Sequence, residues 1–190
     1  INDAPVLTEI GDQETDEDQP LSLPLSYTDP DGDILSVTIT SSEANVIAAM
    51  DDTTLTITPS PDFNGSSVVT VTITESGGEY ETSESFDITV NPVNDAPAMV
   101  TISNVTTLEE TETTVMLNAS DIDGDMNFSF SAESSSDLFT INVSGATLTV
   151  NPLLDKVGTG SITVTANDGN LNSASISFNV TIDNVNDVPA

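Results

Sequence analysis

The chain has 190 residues, enough for one large domain or two ordinary ones. Its 32 Asp and Glu face a single Lys, with no Arg and no His, for a formal charge of −31; that excludes nucleic acid as a partner, since phosphate binding needs basic residues, and argues against anionic membrane surfaces. The absence of Cys excludes disulfides and thiolate metal sites, and no apolar run approaches membrane-spanning length, so no direct membrane insertion is expected.

Taken in order, the chain repeats itself. Asn2-Asp3-Ala4-Pro5 recurs as Asn94-Asp95-Ala96-Pro97 and as Asn186-Asp187-Val188-Pro189, each time 92 positions on. At the same interval of 92, Glu17-Asp18 recurs as Glu109-Glu110, and Asp29-Pro30-Asp31-Gly32-Asp33 as Asp121-Ile122-Asp123-Gly124-Asp125. Leu35, Val37 and Ile39 alternate with Ser36, Thr38 and Thr40, the period of a strand with one buried and one wet face. Leu55-Thr56-Ile57-Thr58-Pro59 matches Leu148-Thr149-Val150-Asn151-Pro152 at 93, a slip that one inserted residue explains. Phe86-Asp87-Ile88-Thr89-Val90 matches Phe178-Asn179-Val180-Thr181-Ile182, back at 92. In the second copy Phe128 and Phe130, then Ile162, Val164 and Ala166, alternate with polar residues in the same way.

Val, Ile and Thr dominate and helical periodicity is missing, so each copy reads as about seven short strands broken by Asp, Gly, Asn and Pro. The expectation is an all-β chain of two tandem β-sandwiches, residues 1–92 and 93–190. Two prolines stiffen the linker at about 91–97 into a short extended segment. Because both ends carry the same motif, the chain is expected to be a piece cut between repeat boundaries of a longer array.

Asp121, Asp123 and Asp125 place three carboxylates at alternate positions around Gly124, with nothing basic nearby. Asp and Gly are also ordinary turn residues, but here the cluster is duplicated at fixed spacing together with the Asn-Asp pairs and the early glutamates. Glycine lets the backbone fold tightly so that the oxygens converge, and a hard dication with 6–8 oxygen ligands relieves their repulsion. Ca²⁺ suits this set best. Mg²⁺ demands stricter octahedral geometry, and Zn²⁺ prefers the His and Cys that the chain lacks.

Val93-Asn94-Asp95-Ala96-Pro97, the Asp-X-Asp-Gly-Asp clusters and Thr165-Ala166-Asn167-Asp168-Gly169 together resemble cadherin repeats, in the bacterial cadherin-like form found in large surface proteins. The resemblance covers essentially the whole chain and implies Greek-key, immunoglobulin/cadherin-like sandwiches with Ca²⁺ between successive repeats. Carried over residue by residue, it implies a central ligand set of Glu17, Asp18, Asp62, Asn64, Asn94, Asp95, Asp121, Asp123, Asp125 and Asp168. By repeat symmetry it implies half-sites of Asn2, Asp3, Asp29, Asp31, Asp33 and Glu75 at the front. At the rear it implies Glu109, Glu110, Asp155 and Asp187. Asn64 and Val157 stand where the family has glutamate, and the linker lacks one of the family's asparagines.

The function this implies is a Ca²⁺-rigidified extension or cell-adhesion stalk of a secreted or surface multi-repeat protein. The alternative is a Ca²⁺-dependent polysaccharide-binding module attached to a secreted enzyme. Expected partners are neighbouring repeats of the same chain, and beyond them either the same protein on another cell or a surface glycan. Tyr27 and Tyr80, isolated and without Trp, make a poor sugar platform. Without His or Cys there is no base for a Ser or Thr nucleophile, so no catalysis is expected.

Overall fold

A computed structural model describes residues 2–186; Asp187 lies outside the described residues. It contains strands and turns and, among the described residues, no helix. The chain divides into two compact units, one ending at Val93 and the other beginning at Asn94.

The first unit holds β1 (Val6–Leu7), β2 (Gln13–Asp16), β3 (Leu21–Pro24), β4 (Tyr27–Thr28), β5 (Leu35–Ser41), β6 (Val46–Asp51), β7 (Thr54–Pro59), β8 (Gly65–Glu75) and β9 (Glu81–Asn91). One sheet runs β2-β9-β8-β5; a second runs β3-β7-β6, beside the short pair β1-β4. The second unit repeats this with β10 (Ala98–Met99), β11 (Val105–Leu108), β12 (Thr113–Met116), β13 (Ala119–Ser120), β14 (Ser129–Glu133), β15 (Phe139–Ser144), β16 (Thr147–Pro152), β17 (Gly158–Asn167) and β18 (Ile176–Asp183). Its sheets run β11-β18-β17-β14 and β12-β16-β15, beside β10-β13. Connections that cross between sheets make each unit a Greek-key sandwich of immunoglobulin/cadherin-like kind.

Nine segments replace the expected seven because two strands are each broken in two. β3 and β4 flank Leu25-Ser26, and β1 and β2 pair with different sheets. Alternation then builds the core. Val69, Val71 and Ile73 on β8 are fully buried, as are Leu55 and Ile57 on β7 and Ile88 on β9. The second core gathers Leu148, Val150, Ile162, Val164, Val180 and Phe178. The same inward register, followed one step past Ile73, brings Glu75 to the end of β8 with its side chain facing in.

Candidate metal centre

In the first unit the Asp29–Asp33 loop is held by its own side chain. Asp29 Oδ1 accepts from the backbone N of Asp31 at 2.8 Å and of Asp33 at 3.1 Å, an Asx turn that glycine completes, since Gly32 has φ +83°. Asp31 Oδ2 accepts from the backbone N of Asp3 at 2.7 Å, and Asn2 Nδ2 donates to Glu75 Oε2 at 2.7 Å. These bonds take in all six front residues. Asp33 and Glu75 join Asp29 in a group whose carboxylate oxygens lie within 4.8 Å of one another.

Each of these bonds uses one oxygen of a carboxylate and leaves the other. Asp29 Oδ2 and Glu75 Oε1 are buried with no hydrogen-bond partner, and Glu75 as a whole is only 4% exposed. Buried, unpartnered carboxylate oxygens are costly, and no Lys or Arg is near to neutralise them. A Ca²⁺ ion with oxygens at ~2.3–2.6 Å places opposite ligands ~5 Å apart, so this all-oxygen donor set fits such an ion in size and chemistry.

The second unit repeats the loop but not the cluster. Asp123 N donates to Asp121 Oδ1 at 2.8 Å, Asp95 N to Asp123 Oδ2 at 2.7 Å, and Gly124 has φ +85°. Asp121 Oδ2 again is buried without a hydrogen-bond partner. Asp168, in the place of Glu75, is spent differently. Its Oδ2 accepts from Asn94 Nδ2 at 3.0 Å, and its Oδ1 from the backbone N of Asn170 at 2.6 Å and Leu171 at 2.7 Å. The Asn94 amide, followed by the Leu171 and Asn170 N–H groups, holds the Asp168 carboxyl below the usual carboxylate range. Asp125 is exposed and makes no bond like the one Asp33 makes to Asp29.

At the other end of each unit sits a buried glutamate. Glu17 is 2% exposed and its Oε1 accepts from Val93 N at 2.6 Å; Glu109 is 3% exposed and its Oε1 accepts from Val185 N at 2.9 Å. Asp18 and Glu110, which follow them in sequence, and Asp62 and Asp155 all have φ between 57° and 62°, a left-handed backbone that non-glycine residues rarely adopt. Asp18 Oδ1 accepts from Asp62 N at 3.2 Å, which pins these two loops together; Asn64 is simply exposed. Asn170, whose Nδ2 donates to Asn94 Oδ1 at 2.9 Å, was not expected in the set. Its place just after the Asn167-Asp168-Gly169 turn was the available signal.

Two sandwiches of immunoglobulin-like topology, each carrying acidic loops at its ends, define the class of protein. Within it, the chain belongs to the bacterial Ig domain family, which matches residues 2–90 and again 94–181. Comparison with curated protein sequences finds no match. Among solved structures, the chain is similar over 97% of its length to human protocadherin-24 EC1-2, of which it covers 100%, at 17% identity and a TM-score of 0.63. It is similar over 97% to Drosophila N-cadherin EC1-4, covering 50% of that chain at 18% identity and a TM-score of 0.56. An endo-fucoidan hydrolase of glycoside hydrolase family 107 matches 96% of this chain at 19% identity and a TM-score of 0.42, and the chain spans only 29% of that enzyme. These likenesses are of fold. Among the described residues no helix is long and apolar enough to cross a membrane.

Proposed function

We propose that these repeats are a Ca²⁺-binding, cadherin-like, non-catalytic segment of an extracellular surface protein, and that Ca²⁺ held at the repeat ends stiffens the array into an adhesion stalk. The observation that carries this reading is that Asp29 and Glu75, whose Oδ2 and Oε1 are buried and unpartnered, bring carboxylate oxygens within 4.8 Å of one another and of Asp33. Asp29, Asp33 and Glu75 would hold the ion directly, while Asn2, Asp3 and Asp31 fix the loop around them. The repeated motifs support ligand roles for Glu17, Asp18, Asp62, Asn94, Asp95, Asp121, Asp123 and Asp168 as well. The partners on this reading are further repeats of the same protein.

Thermal unfolding tests the metal. A ligand that binds only the folded state adds RT ln(1 + [L]/Kd), so 1 mM Ca²⁺ acting on a site of ~10⁻⁴ M adds about 1.4 kcal/mol. For a repeat of this size that raises Tm by roughly 5–10 °C over EDTA. Coincident melting curves in EDTA and Ca²⁺ would remove the metal, and the stalk with it. Stiffening is read separately by small-angle scattering: the distribution of maximum dimensions narrows on adding Ca²⁺ and broadens in EDTA.

A further inference from the structure

In each unit the second strand, β2 or β11, runs parallel to the last, β9 or β18. β2 and β9 register from Gln13↔Ile88 to Asp16↔Asn91, and β11 and β18 from Val105↔Val180 to Leu108↔Asp183. Both ladders are short, and both are lengthened at either end by side chains. Ahead of the ladder, Asp12 Oδ1 accepts from Asp87 N at 3.0 Å, and its counterpart Asn104 Oδ1 from Asn179 N at 2.9 Å. Beyond it, Glu17 Oε1 accepts from Val93 N and Glu109 Oε1 from Val185 N. The same two glutamates donate their own backbone N–H to Asn91 O and Asp183 O, each at 2.9 Å. The arrangement is thus built twice, from residues that recur 92 positions apart.

Parallel pairing decides what these bonds meet when the chain is pulled. Tension on the two ends of a repeat draws the early strand toward its start and the late strand toward its end. Those forces oppose each other along the ladder, so the rungs are loaded together in shear and not opened one at a time. We propose that the side-chain rungs of Asp12 and Glu17, and of Asn104 and Glu109, turn each terminal strand pair into a tension-resisting clamp that holds with no cation bound. Glu17 and Glu109 are positioning residues on this account: they fix the chain where it leaves each sandwich.

The test is constant-force unfolding of the full chain in EDTA, where each repeat gives one step. Glu17→Ala speeds one of the two steps on the order of tenfold, the effect of losing a buried charge-assisted hydrogen bond, and Glu109→Ala speeds the other. Glu17→Gln, whose amide oxygen still accepts from Val93 N, stays close to wild type. Ser42→Ala removes a side-chain oxygen that accepts from Val68 N at 2.9 Å, away from the terminal pair, and leaves both steps unchanged under load. Amide exchange gives a local readout: Val93 exchanges at least about tenfold faster in Glu17→Ala and not in Glu17→Gln. Equal acceleration by Glu17→Ala and Ser42→Ala, or a Gln variant as fast as the Ala variant, overturns the clamp. Should Glu17→Ala fail to fold, Asp12→Ala reads the opposite rung, and an unchanged step there overturns it too. None of these outcomes depends on whether Ca²⁺ binds.

Discussion

Glu75→Gln separates repulsion from coordination in one substitution. The Asp29, Asp33 and Glu75 oxygens lie within 4.8 Å of one another, so Glu75 faces two like charges. At that distance each pair costs about 3 kcal/mol at an effective dielectric of ~20 and about 1 kcal/mol in water. Asp33 is exposed, so the total relief on removing Glu75's charge falls at about 1–3 kcal/mol. The glutamine keeps an oxygen for Asn2 Nδ2 and replaces the buried, unpartnered Oε1 with a neutral amide N–H₂. In EDTA the variant should therefore melt above wild type, by roughly 4–8 °C for each kcal/mol, and the gain should shrink in high salt. In Ca²⁺ the order should reverse or close, because a ligand charge has been lost and most of the ~1.4 kcal/mol from binding goes with it. Calorimetric scans of both proteins in both buffers check this. A variant that melts at or below wild type in EDTA refutes the repulsion; an undiminished Ca²⁺ response refutes Glu75 as a ligand.

Two further predictions concern the second unit. Gly160→Ala adds a Cβ that would press on Ser136 Oγ and lie 2.7 Å from Phe139 Cε1; overpacking of that kind costs about 1–3 kcal/mol and should lower Tm whether or not Ca²⁺ is present. Asp137 accepts from Lys156 Nζ at 2.9 Å on the surface, and that hydrogen bond, then the lysine's charge, lowers its pKa. The stability this pair adds is present above the ordinary carboxylate range and is lost as pH falls through the lowered value. Because both groups are solvent-screened, Asp137→Asn should leave Tm essentially unchanged at neutral pH, and a clear drop would contradict that.

The fold was legible because two periods act at once. The interval of 92 marks the repeats, and the alternation Val69-Val71-Ile73 or Ile162-Val164-Ala166 marks the buried faces. The breaks in the edge strands were not legible. Whether Val6–Leu7 and Gln13–Asp16 join one sheet or two depends on pairing across the sandwich, which local composition does not encode. Repeated positions pointed to the front residues that these bonds bring together, but the use of each oxygen could not be read. Nothing in Glu17-Asp18 distinguishes a buried glutamate bonded to Val93 N from a solvated one. Asp12 and Asn104 also recur at 92, yet one is acid and the other amide, so a search for carboxylates passes over the oxygen they share as acceptors.

That difference between position and use bears on the two Asp-X-Asp-Gly-Asp loops. They are nearly identical in sequence and in backbone, with Gly32 at φ +83° and Gly124 at φ +85°. What separates them is the residue supplied by the neighbouring strand. Glu75 is long enough to bond Asn2 with one oxygen and leave the other buried and unpartnered. Asp168 is one methylene shorter and is followed by a turn whose Asn170 and Leu171 N–H groups both bond its Oδ1, while Asn94 takes Oδ2. A carboxylate already satisfied by three donors gains less from a cation than one with a buried free oxygen, because those bonds must be shared or given up. On the proposed reading, Asp29, Asp33 and Glu75 are therefore the better placed cation ligands within a single repeat. Exchanging the two residues, Glu75→Asp and Asp168→Glu, should weaken Ca²⁺ binding at the first loop, and calorimetry on each single variant reads the two loops apart.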